Sequence, residues 1–290
     1  MNHTPHAHDA GLLQDLEQLM QQQRNRRGAL RWLGLAGTAS LGGLSACGGG
    51  GDAGTSVYGN STTSTQTATS ASGTTCAVIP EETQGPYPGD GSNTANGSIA
   101  NALALSGIVR SDIRSSVATA SGTAAGTKLT LTITLQNVNN SCALLDGFAI
   151  YLWHCDAQGR YSMYSSGVTA ENYLRGVQAT DSNGQCTFTT IVPGCYDGRW
   201  PHMHFEVYRS TNTATSFSNK LKTSQFAIPQ SVASSVYSSD STYSGSSSNL
   251  AKVSLASDGI FSDGYSLQML TAASDGNGGY VATGTVGISV

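Results

Sequence analysis

Within KLTLTITLQNV, Lys128 to Val138, polar and apolar residues alternate strictly from Lys128 to Gln136, and that period of two is the signature of a strand with one buried face. Similar short runs recur along the chain: LALSGIVR (103–110), GFAIYLWHCD (147–156), QCTFTTIV (185–192), HMHFEVY (202–208), KTSQFAI (222–228) and YVATGTVGISV (280–290). Between them stand DAQG, SNG, PGCYDG and DGNGG, whose Gly, Asn, Asp and Pro residues supply turn conformations. The pattern predicts an all-β fold, an antiparallel β-sandwich with few short helices, one of them near PQSVASSVY at 229–237.

The N-terminal quarter reads differently. NRRGALRWLGLAGTASLGGLSAC, residues 25–47, joins the twin arginine Arg26–Arg27 to a weakly apolar run that ends in LSAC. This resembles a Tat signal with a lipobox, and residues 1–47 are expected to be that signal, with Cys47 as the lipidated residue. A membrane-spanning helix needs about 20 strongly apolar residues, which the glycines and Arg31 deny. His3, His6, His8 and the leucine-patterned stretch 10–23 fall within this leader. Residues 48–75 are rich in Gly, Ser and Thr, bury almost nothing and are expected to be a flexible tether. Residues 76–290 then form one β-sandwich domain of ample size for a core. The expected location is exported and lipid-anchored, periplasmic or at the cell surface, with the outer membrane favoured because Gly48 is not aspartate.

Charged residues make up 11% of the 290-residue chain, its formal net charge is −4, and no basic stripe interleaves with aromatics. Nucleic acid is therefore not an expected partner, and contact with a membrane is expected only through the lipid. Beyond Cys47, the cysteines are Cys76, Cys142, Cys155, Cys186 and Cys195; five is odd, so at least one stays a thiol or pairs between chains. Their connectivity, like self-association, is left open.

Chemistry concentrates between residues 161 and 204. Alternation in RWPHMHFEVY (199–208) sets His202 and His204 on one strand face roughly 6.6 Å apart, where both can reach one ion, while Met203, Phe205 and Val207 face a core. Tyr161 in GRYSMY and Tyr196 in PGCYDGR follow turn residues and project from loops. Imidazole suits zinc, copper or iron, whereas phenolate oxygen biases the set toward a hard, highly charged ion. Taken singly, a tyrosine beside a turn is more often a packing residue.

The segments PEETQGPYP (80–88), YLWHCDAQGRYSMY (151–164), LRGVQATDSNGQCTFTTIVPGCYDGRWPHMHFEV (174–207) and KTSQF (222–226) resemble the intradiol ring-cleavage dioxygenases, the family of protocatechuate and catechol dioxygenases. The resemblance implies a non-haem ferric iron, Fe(3+), held by Tyr161 and His204 as equatorial and Tyr196 and His202 as axial ligands. It implies that Tyr196 leaves and accepts a proton when a catechol binds. Arg199 would stabilise charge developing on the substrate, Gln225 would stand beside the reacting carbon, and Tyr87 would line the pocket. The implied reaction is cleavage of a catechol ring between its two hydroxyl-bearing carbons by O2, giving a muconate-type diacid. His154 is expected to be structural, bonded to nearby backbone; Glu206 and Tyr208 share the histidine face; Arg175 and Asp181 are expected to serve a hairpin with an SNG turn. The competing readings are a β-sandwich surface lipoprotein that binds a ligand without turnover, and a zinc site.

Overall fold

The computed structural model describes residues 66–70 and 75–290. The expected signal, Cys47 and most of the expected tether lie outside these residues. The end of the tether is inside them: β1 (Thr67–Thr69) pairs with β2 (Thr75–Ala77), and Val78 N–H donates to the Gln66 carbonyl at 2.9 Å. A second hairpin, β3 (Asp90–Ala95) with β4 (Ser98–Asn101), follows the PEETQGPYP segment.

The strands that build the sandwich are β5 (Lys128–Asn137), β6 (Ala143–Leu144), β7 (Ala149–Trp153), β8 (Arg175–Ala179), β9 (Gln185–Ile191), β10 (His202–Tyr208) and β11 (Lys222–Ala227). Helices α1 (Gln230–Ser239) and α2 (Ser246–Leu250) precede the last two strands, β12 (Thr271–Ser274) and β13 (Tyr280–Ile288). One sheet runs β11-β10-β7-β8, antiparallel throughout. In the other, β12 pairs β13, β13 lies parallel to β5, and β9 and β6 share the far side of β5.

The alternation of β5 does what a period of two dictates. Leu129, Leu131, Ile133 and Leu135 are buried and meet Ile150, Leu152, Met203, Phe205 and Val207 of the opposite sheet in the main core. LALSGIVR does not form a strand. Ala102–Ala104 is a 3-10 turn and Gly107 takes φ +85°, a left-handed conformation that breaks an extended run, so Val109 keeps one isolated bridge, to Val177. Leu103 and Ile108 are buried all the same, in a second cluster with Tyr151, Trp153, Tyr161 and Tyr208.

That second cluster explains why β7 and β10 are buried on both faces. One face meets the core; the other is roofed by segments 80–90 and 154–165. The roofed face carries His202, His204 and Glu206 on β10. Among the described residues, no helix is long and apolar enough to cross a membrane. Cys76 and Cys142 form a disulfide, while Cys155, Cys186 and Cys195 are buried thiols.

Candidate metal centre

His202 and His204 project from the first and third positions of β10 onto its roofed face, with ring centroids 4.8 Å apart and planes at 76°. Trp153, opposite His204 in the β7 register, stacks on that imidazole at 5.0 Å and 7° and fixes its plane. The Trp200 carbonyl lies 2.6 Å from His202 Nδ1, and a carbonyl can only accept, so Nδ1 carries the proton and the neutral ring presents its Nε2 lone pair. Burial, then the Arg199 cation, hold the His202 pKa well below the ordinary range. Burial, then His202, then Arg199 do the same for His204. Neutral imidazole is the form that binds metals.

The two phenols arrive on loops that lock together. Asp156 organises the first, accepting from the Gln158 and Arg160 N–H groups at 2.9 and 3.0 Å, so the chain turns through Gly159 at φ +79° and delivers Tyr161. Gly194 shapes the second: a Cβ there would lie 2.6 Å from the Ala157 carbonyl oxygen, so only glycine lets the Pro193–Tyr196 loop pack against the first. Its N–H donates to the Asp156 carbonyl at 3.1 Å. Tyr161 is buried, and its N–H donates to Ser165 Oγ at 2.9 Å; Tyr196 is half-buried and runs into exposed Asp197 and Gly198.

The four side chains converge. From His202 Nε2 it is 3.1 Å to His204 Nε2, 3.2 Å to Tyr196 Oη and 3.5 Å to Tyr161 Oη. Donors about 2.1 Å from a shared ion, at the angles of a tetrahedral or octahedral site, stand roughly 3.0–3.4 Å apart, so these residues fit a metal. Among the described residues, no group of three or more His, Cys, Asp and Glu side chains makes an alternative site. The donor set is two neutral nitrogens and two phenolic oxygens, which favours a hard ion.

Arg199 is almost fully buried and is paired with Asp258, Nε to Oδ2 at 3.0 Å. Its Nη2 donates to Gln225 Oε1 at 2.8 Å, and Gln225 Nε2 donates to the Thr83 carbonyl at 3.0 Å. Gln225 faces His204 across the β10–β11 register. Tyr87 leans on Tyr161 at a centroid distance of 5.0 Å and on Tyr164 at 5.2 Å. The seven residues expected at the site thus lie together.

Other residues are placed differently. Arg175, expected to serve the hairpin, is a buried clamp: its five N–H directions go to Ser162 Oγ and O, the Pro88 and Tyr87 carbonyls and Tyr151 Oη, tying the 86–89 roof to the loop of Tyr161. Asp181 does serve the SNG turn, accepting from the Asn183 and Gln185 N–H groups. His154 is structural, with Nδ1 donating to the Cys155 carbonyl at 2.8 Å and Nε2 accepting from Thr190 Oγ1 at 2.7 Å. Glu206 bonds Tyr208 Oη at 2.6 Å and Lys220 Nζ at 2.9 Å, so these neighbours hold each other. Cys195 donates toward the Arg199 carbonyl, and burial pushes its thiol up to about 12, leaving it inert beside Tyr196. Asp258, the partner of Arg199, belongs to no sequence motif.

The fold and this centre define the class: a β-sandwich with a two-tyrosine, two-histidine cluster roofed by loops. A dioxygenase family model matches residues 109–215. The intradiol ring-cleavage dioxygenase of Tetranychus urticae superposes with a TM-score of 0.55 at 23% identity, covering 74% of this chain and 95% of that one. A second solved dioxygenase gives 0.54 at 24% identity, with coverage of 74% and 95%. A 3-chlorocatechol 1,2-dioxygenase from Rhodococcus opacus is more distant, at TM-score 0.44, 16% identity and 72% of each chain. No curated protein sequence matches. The resemblance to the intradiol ring-cleavage dioxygenases therefore stands, as a family-model match over the middle of the chain and as a shared fold.

Proposed function

We propose that this protein is a non-haem iron(III) dioxygenase that cleaves catechols between their hydroxyl-bearing carbons, both atoms of O2 ending in the carboxyl groups of a muconate-type diacid. The observation that carries the reading is the convergence of two phenolic oxygens and the His204 nitrogen within 3.5 Å of His202 Nε2, near a buried guanidinium. Tyr161, Tyr196, His202 and His204 would hold the iron, whose Lewis acidity would deprotonate a chelating catechol and let O2 oxidise its ring without an external reductant.

The protein's own part follows from asymmetries in the site. Tyr196 is the phenol on the exposed loop; as a phenolate, its own proton lost when the metal is bound, it would be the donor free to swing away and take one substrate proton on Oη, while buried Tyr161 stays. Arg199, fixed on two sides, supplies positive charge where negative charge builds on the reacting ring, and its low-dielectric setting strengthens the effect. Tyr87, half-buried against Tyr161, offers aromatic surface beside the donors that suits a flat aromatic substrate, while buried Trp153 backs the His204 ring. Export by the Tat route and anchoring through lipidated Cys47 are part of the same proposal.

The test is the visible spectrum of the purified protein, with metal analysis, during an anaerobic catechol titration. Bound iron with a broad tyrosinate band that moves to longer wavelength supports the reading, and O2 should then yield a diacid. Zinc in place of iron, or an iron-loaded protein indifferent to every catechol, rejects it in favour of the zinc or binding-module alternatives.

A further inference from the structure

Asp258 lies outside the family-model match and outside the motifs described above, on the loop after α2, yet it is completely buried and accepts four hydrogen bonds. Its Oδ1 takes the Ile260 and Phe261 N–H groups at 2.8 and 3.1 Å, which fixes the carboxylate to its own loop. Its Oδ2 takes the Trp200 N–H at 2.7 Å and Arg199 Nε at 3.0 Å. One oxygen therefore sets both the backbone that leads into His202 and the plane of the guanidinium beside it. On the other side, Gln225 holds Nη2 and is itself held by the Thr83 carbonyl. A planar, delocalised cation fastened at two of its nitrogens has no free rotation about its terminal torsions.

We propose that Asp258 is the positioning residue of the reaction: it acts through Arg199, holding the guanidinium where charge develops on the substrate. The inference rests on the ring-cleaving function proposed above. Asp258 touches neither a metal donor nor, by this reading, the substrate; its contribution is to orientation, for which a displacement of about 1 Å can cost 100-fold in rate.

The experiment is a double-mutant cycle on the full-length, iron-loaded protein, with kcat expressed per bound iron. Asp258→Asn puts an amide donor against either Arg199 Nε–H or the loop N–H groups, and Asp258→Glu keeps the charge but moves it by one methylene. Each should lower kcat roughly 10- to 100-fold with KM within about threefold and the tyrosinate band unchanged. In an Arg199→Ala background the same changes should lower kcat by less than about twofold, because the residue acted upon is gone. Equal losses in both backgrounds, or a band that shifts with the substitution, overturn the proposal in favour of a structural role. Should Asp258→Asn fail to fold, Asp258→Glu decides by the same comparison. A wild-type protein that cleaves no catechol overturns the function itself and this inference with it, whereas an active wild type with additive variants overturns this inference alone.

Discussion

Arg199 is buried against its counterion, and this changes what its removal does. Arg199→Ala strands a carboxylate that has no access to water, so it should cost roughly 3–5 kcal/mol in urea denaturation and lower kcat to a small but measurable residue, and adding Asp258→Asn should recover part of that stability. Tyr161→Phe removes one of four donors: iron content and the tyrosinate band should both fall, and full ring cleavage with an unaltered spectrum would sink the ligand assignment. His154 sets a pH dependence. Burial lowers its pKa to about 4 from an ordinary 6.5, so between those values the unfolded chain binds a proton that the folded one refuses. Its contribution is fully present above pH 6.5, falls as pH drops toward 4 and is then level, a loss on the order of 2–4 kcal/mol. Denaturation midpoints across that window should flatten in His154→Gln. His202 and His204 were legible from strand period and Tyr161 and Tyr196 from the turns before them, whereas the roles of Arg199 and Gln225 came only from the resemblance of GRWPHMH and KTSQF to a family. Asp258 was not, because it sits 59 positions from Arg199 in a Ser- and Gly-rich loop that carries no period at all.

At the scale of elements, strands legible from alternation were the ones with one face on the main core, β5 above all. The segment 103–110 shows the limit: its apolar residues are buried, but against the roofed side of β7 and β8, where a turn at Gly107 suits the space better than a strand. The parallel pairing of β13 with β5 was equally hidden, since neighbour choice between distant strands leaves no local mark. The two donor loops illustrate how backbone contact does the work of positioning. Gly194→Ala would drive a Cβ into the Ala157 and Asp156 carbonyls, 2.6 and 2.8 Å away, so the loops must part. The expected outcome is a destabilisation of roughly 1–3 kcal/mol together with a weakened tyrosinate band, because Tyr196 moves with its loop. An unchanged spectrum in a folded Gly194→Ala protein would mean that the loop contact does not set the phenol.

For the whole molecule, the informative feature is where the Cys76–Cys142 bond lies. β5 begins beside Val192, just before the Tyr196 loop, and ends at Asn137, whose carbonyl accepts the Cys142 N–H. Ten extended residues, roughly 30 Å, therefore separate the donors from the disulfide. Replacing both cysteines by serine should lower stability by roughly 2–4 kcal/mol while leaving kcat per bound iron unchanged. Cys47→Ser should release the protein from the membrane fraction without altering its spectrum, which fractionation and the visible band would read together. The same layout has a mechanical meaning. A load applied at Gln66 reaches the Cys76–Cys142 bond within ten residues and passes from there into the central strand of a sheet. With the proposed mooring at Cys47, a tug on the line would strain the disulfide end of β5 and leave the end nearer the four donors slack.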